Sequence, residues 1–218
     1  MIHNILIADS VVADNVEVVT SWFDLLIKGG VIMIPILLLS VYSIYLFIER
    51  FVYIKQMTRV DDMFTNNILT EIKKTDIGKA MQHAQNNNTA IGRIFASALC
   101  KIGKPIQEIE SNIESTTNLE ITKMEKNTGY LGIIAGIAPM LGFIGTISGV
   151  IKIFYNISLT DNISIGIIAG GLYQKMICSG AGLIVGVIAY SCYHYLQMKI
   201  DRFTINLQEN VLKFLKEL

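Results

Sequence analysis

Proline, tryptophan, cysteine and histidine are all scarce in this chain of 218 residues, with three, one, three and three copies respectively. Each shortage excludes something. Cys100, Cys178 and Cys192 sit far apart, and an odd count with no regular spacing argues against a disulfide framework. They read as small apolar fillers. His3, His83 and His194 are scattered too, so neither an HExxH nor a paired-histidine metal site is expected. Net charge is missing as well: 18 basic residues balance 18 acidic ones. With no basic patch interleaved with aromatics, no nucleic-acid partner is expected. Also absent are a Ser-His-Asp arrangement, a phosphate-cradling GxxxxGKS/T loop, and a carboxylate pair within an apolar run. An enzyme is not expected.

What the chain has is apolar length. Hydrophobic residues make up 52% of it, and the mean hydropathy is +0.49. Three stretches approach the ~20 residues that cross a hydrocarbon core. Val31 to Ile48 is uncharged and holds Pro35 near its start, where a helix tolerates proline. Gly129 to Ile151 is a second uncharged run, and a third extends from near Ile163 to about Tyr195, broken only by Lys175. That lysine is read as snorkelling to the surface that Asp161 and Asn162 mark, or as paired. The opening residues lack a basic region, and Asp9 and Asp14 interrupt their apolar run. They read as an amphipathic segment at a membrane surface rather than a cleaved signal.

Charge sets the orientation. Before Gly29 there is one basic residue, Lys28, against Asp9, Asp14, Glu17 and Asp24. Basic residues from Arg50 to Lys126 crowd the middle segment, the link around Asp161 has none, and the tail carries Lys199, Arg202, Lys213 and Lys216. The positive-inside rule then puts the N-terminus outside and both the middle segment and the C-terminus in the cytoplasm. The expected organisation is all-α, a polytopic membrane protein with three transmembrane helices and a cytoplasmic helical domain. Its pieces are an interfacial periplasmic segment at 1–28, a first span at 29–50, a cytoplasmic helical domain at 51–128, and a second span at 129–155. A short periplasmic loop at 156–163, a third span at 164–195 and a cytoplasmic helix at 196–218 complete it.

Within the middle segment the apolar spacing is helical. Met63, Ile68, Leu69, Ile72 and Ile77 form one stripe, and Ile91, Ile94, Phe95, Ala98, Leu99 and Ile102 a second. Asn86-Asn87-Asn88 reads as the break between them, with Thr89 as a helix cap. From Pro105 onward no stop signal appears, which predicts one long helix rising into the second span. The third span is likewise expected to continue into the tail.

The spans carry a repeated small-residue pattern. Gly132 and Gly136, then Gly142, Gly145 and Gly149, recur at three- and four-residue steps, as do Gly166 and Gly170, then Gly182 and Gly186. Such spacing lets neighbouring backbones approach closely, and packing alone accounts for most of these glycines. Thr146 shares a face with Pro139 two turns earlier, and Ser179 shares one with Gly182 and Gly186. Either hydroxyl can bond its own helix. Both together also suit a narrow polar lumen or a polar partner.

Three stretches then resemble one known family in order. GGVIMIPILLLSVYSIYLFIER (29–50) resembles the first span of the MotA/TolQ/ExbB proton-channel subunits. IAPMLGFIGTISGVIKIF (137–154) is similar to their second span, and IAGGLYQKMICSGAGLIVGVIAY (168–190) to their third. The resemblance covers about residues 25 to 200 and favours the ExbB/TolQ branch. It implies a homopentameric ring around two single-span partners of the ExbD/TolR type, which carry a membrane aspartate and act with a TonB-like protein in a bacterial inner membrane. It implies no cofactor, protons being the transported ion. By position, Thr146 and Ser179 match the family's pore-facing threonines, and Gln174 falls where ExbB has a glutamate. A glutamine cannot titrate, which puts any relay role there in doubt. The face carrying Pro139, Gly142, Gly145, Gly149, Gly182 and Gly186 is expected to serve packing and to face the turning partner. The implied function is coupling of the proton gradient to TonB-dependent transport. A TolQ-like role in the Tol-Pal envelope system, or a non-conducting membrane scaffold, are the alternatives.

Overall fold

The computed structural model describes residues 30–59, 62–160 and 165–216. The interfacial segment expected at 1–28, and Asp161 and Asn162 of the second link, lie outside the described residues. Those described form seven helices and no strand: α1 (Met33–Met57), α2 (Asp62–Lys73), α3 (Ile77–Asn86), α4 (Ala90–Leu99), α5 (Ile106–Glu125), α6 (Thr128–Thr160) and α7 (Ile165–Leu215).

Three of these, α1, α6 and α7, are long and apolar enough to cross a membrane. Only 22%, 28% and 22% of their most apolar windows is buried within the chain. Phe143, Ile144, Leu183, Ile184 and Val187 are exposed, among others. A helix apolar on all sides needs an apolar surround, and a bilayer supplies one. At 1.5 Å per residue, the 51 residues of α7 extend ~77 Å, well beyond the ~30 Å hydrocarbon thickness. The third span therefore does continue into the tail as one helix.

The chain divides into two compact units. The first contains the start of α1 up to Leu39 and Gly136–Gly186. Here α6 and α7 pack backbone to backbone at their glycines. A Cβ on Gly142 would stand 3.0 Å from the Ser179 Cα, one on Gly145 2.9 Å from the Cys178 Sγ, and one on Gly182 2.5 Å from the Ala138 carbonyl oxygen. As numbers rise on α6 they fall on α7, so the pair is antiparallel. Pro139 lies inside α6 without ending it, as membrane helices allow when neighbours satisfy the freed backbone groups.

The second unit contains Ser40–Ala135 and α7 from Val187. Its core is built by the amphipathic stripes of α2 to α5 and the end of α7, with Ile68, Ile91, Ile94, Phe95, Ile113, Met124, Leu207 and Phe214 almost wholly buried. Phe95 stacks on Phe214 at 5.2 Å and on Phe64 at 6.4 Å between centroids. The asparagine break is where the sequence placed it: α3 ends at Asn86, and the Thr89 hydroxyl caps α4 by accepting from the Gly92 amide at 3.4 Å.

Two expectations are corrected. The stripe from Met63 to Ile77 is not one helix. Thr75 turns at φ +62°, and Asp76 caps a new helix by accepting from the Lys79 amide at 3.1 Å. Nor does one helix run from Pro105 into the second span. Asn127 adopts φ +66° between α5 and α6, a left-handed conformation that asparagine tolerates better than most residues. The flanking groups close the turn: the Lys126 amide bonds to Thr122 O at 3.0 Å, and the Thr128 hydroxyl to Glu125 O at 2.7 Å.

Candidate functional site

The α6–α7 seam decides where the hydroxyls stand. Its facing pair is Gly145 and Cys178. Thr146 and Ser179 each follow one residue later, about 100° around their helices. Because the helices are antiparallel, the same forward step rotates the two side chains to the same side of the seam. Both are partly exposed there. No hydrogen bond joins them. The Thr146 hydroxyl donates to the Phe143 carbonyl of its own helix at 2.6 Å, which leaves its oxygen's lone pairs free to accept. The Ser179 hydroxyl has no hydrogen-bond partner among the described residues.

The other residues singled out from the sequence fall as follows. Gly142, Gly145, Gly149 and Gly182 are buried in the seam and touch the facing helix. Gly186 is buried on α7, and Pro139 is half-buried on α6. Gln174 lies on α7, and the expectation for its side chain falls outside the described residues. Lys175 is half-buried, with its stem packed against Gly149.

Sequence reading missed a buried ion cluster in the second unit. Glu120 on α5 is 2% exposed and accepts from Arg93 on α4 at 2.5 Å and from Lys123 at 2.7 Å. Burial pushes its carboxyl up, but the Arg93 and Lys123 hydrogen bonds and charges outweigh that and hold it below the ordinary carboxylate range. Arg50 of α1, 6% exposed, pairs with Glu49 at 3.2 Å and donates to the Lys123 carbonyl at 3.5 Å. The signal was available: Glu120 sits on the inward stripe of α5 with Ile109, Ile113 and Met124. A charge on a buried stripe calls for partners. Nearby, Phe47 and Phe51 meet Tyr195 at 6.4 and 6.1 Å, and Lys199 lies 5.7 Å over the Tyr195 ring. Rings alongside lysines are what a membrane–water boundary collects.

These features define a polytopic helical membrane protein whose close-packed helix seam presents hydroxyls and, among its described residues, no acid. The chain belongs to the MotA/TolQ/ExbB proton channel family, which residues 86–209 match. That family is of the transport and channel type. Among relatives, the biopolymer transport protein ExbB-like 3 of Synechocystis is 27% identical over 161 residues, covering 73% of this chain and 77% of its own. ExbB-like 1 of the same organism is 29% identical over 178 residues, 79% of this chain and 69% of its own. The Tol-Pal system protein TolQ of Haemophilus influenzae is 25% identical over 84 residues, 38% of this chain and 37% of its own.

Proposed function

We propose that this chain is the multi-span subunit of a proton-driven motor of the ExbB type. In this reading it forms a ring, a homopentamer, in a bacterial inner membrane, with its N-terminus periplasmic and its C-terminus cytoplasmic. The ring works with a dimer of a single-span ExbD/TolR-like partner to energise TonB-dependent transport. The observation that carries this reading is the emergence of Thr146 and Ser179 on one side of a seam whose described residues hold no carboxylate. A proton path needs a titratable group, and the second chain would bring it.

The two hydroxyls suit the two states of such an acid. Ser179, unpartnered, can donate to the carboxylate. Thr146, its proton engaged by Phe143, can accept from the neutral acid's O–H. Burying the neutral form costs far less than burying the anion. Protonation therefore changes which hydroxyl the acid prefers and lets the partner advance. The membrane potential contributes about 2.3 kcal/mol per charge per 100 mV. The glycine-lined helices keep the adjoining surface low.

The test is proton flux into vesicles holding this chain with its single-span partner. Ser179→Ala is expected to lower flux about tenfold, the loss of about one hydrogen bond to a charge, and Thr146→Val about fivefold, the loss of about one neutral hydrogen bond. Thr146→Ser and Ser179→Thr retain it. If flux survives both removals, the pathway is wrong. A TolQ-like role is the second reading, favoured by the likeness to a Tol-Pal protein. A deletion that spares growth on chelated iron but disturbs envelope constriction selects it. A non-conducting scaffold predicts no partner-dependent flux at all.

A further inference from the structure

The described residues of the first unit carry two charges, both positive: Lys152 and Lys175. No aspartate or glutamate occurs among residues 30–39, 136–160 or 165–186. Lys175 is held in place. Gly149 is buried, and a Cβ on it would overlap the Lys175 Cγ, Cδ and Cε, so the stem occupies the notch that the missing side chain leaves. The ammonium is carried to the start of α1, 3.7 Å from where a Cβ on Gly30 would stand.

The head reaches the outer end of the first span, as a snorkelling lysine's does, but the stem does not lie along apolar surface side chains. The Lys175 stem runs in the seam against the α6 backbone. On α6 the notch at Gly149 lies three residues, about 5 Å along the axis, before Lys152. A cation whose stem is fixed there favours an opposite charge beside it. The described part of α1 up to Leu39 has no charged group, and α6 offers only Lys152, of the same sign.

We propose that Lys175 is the docking cation for a carboxylate on a membrane-spanning partner helix. This rests on the motor reading above, in which a second chain supplies the acid. Lys175 lies one turn before Ser179 on the same helix, so a docked acid is held about 6 Å from that hydroxyl along the axis. The ionised acid is retained by the ammonium, and the protonated acid is released to move along the hydroxyl side of the seam. Lys175 is thus a positioning residue that times the partner's step by charge.

The test uses the full chain in complex with its single-span partner in vesicles, treated with dicyclohexylcarbodiimide, which joins an amine to a carboxylate without a spacer. Mass spectrometry then identifies the peptide bonded to Lys175. The expected product joins Lys175 to the partner's membrane carboxylate. Lys175→Arg keeps flux within about twofold of the unchanged protein, because the charge is kept. Lys175→Gln keeps its thermal midpoint and elution size but loses flux about tenfold or more, the usual result of unpairing a desolvated charge. A cross-link to Asp24 or another acid of the same chain overturns the docking. So does wild-type flux in Lys175→Gln. Unchanged complexes that conduct no protons overturn the motor reading instead.

Discussion

Gly142 on α6 and Ser179 on α7 touch through their backbones: a Cβ on the glycine would stand 3.0 Å from the serine Cα and 3.1 Å from its carbonyl oxygen. The same contact that packs the helices brings the Ser179 hydroxyl to its side of the seam. The packing and the placement of the hydroxyl therefore cannot be altered independently at this level of the seam.

Gly182 tests the packing alone. Its Cβ would meet the Ala138 carbonyl oxygen at 2.5 Å and the Gly142 backbone at 3.1 Å, neither of which can swing away. Gly182→Ala is expected to destabilise the protein by about 1–3 kcal/mol. Gly136→Ala, with nothing within 4 Å of the new carbon, is expected to be neutral or to stabilise by up to ~1 kcal/mol through helix propensity. Thermal midpoints in one detergent compare them, and equal losses would show that the seam is not close-packed.

Asn127 tests the break between α5 and α6. At φ +66° glycine fits without strain, whereas a β-branched residue is forced out of its allowed region. Asn127→Gly is expected to change stability by less than about 0.5 kcal/mol, and Asn127→Val to lower it by about 1–2 kcal/mol. A valine variant as stable as the parent would mean that the helix runs through this point in solution.

Glu120 tests the ion cluster and its pH dependence. Its carboxyl is held below the ordinary range in the folded protein. The stabilisation is therefore fully present above the unfolded value near about pH 4.3 and is lost as pH falls through the lowered folded value. Glu120→Gln is expected to lower stability at neutral pH by about 2–3 kcal/mol, since Arg93 keeps partial access to water and Lys123 is exposed. The difference between parent and variant should shrink in melts taken from pH 5 down to pH 3. A difference that stays constant over that range would remove Glu120 from the acid response.

Much of this was legible in the chain itself, for identifiable reasons. The spans needed only apolar length, and the break at Asn86 to Asn88 with its Thr89 cap needed only local hydrogen-bonding chemistry. Thr75 and Asn127 escaped because each turns at positive φ without a glycine to announce it. Glu120 escaped because its stripe was read for apolar residues alone. The glycines were recognised as packing residues, but their partners were not, since those lie on another helix more than twenty residues away in sequence.

By itself, the sequence determined that three helices are apolar enough to enter a membrane, that most of the remainder is helical, and that the apolar runs 31–48, 129–151 and 163–195 carry hydroxyls and one lysine but no acid. Those properties follow from side-chain chemistry and period, which each segment holds locally. Only the tertiary structure decided that α6 and α7 run antiparallel with Gly145 facing Cys178, which turns Thr146 and Ser179 to one side. It alone also decided that Lys175 lies in the notch at Gly149. Register between two helices is set by which bumps fit which hollows, and neither helix encodes that without the other.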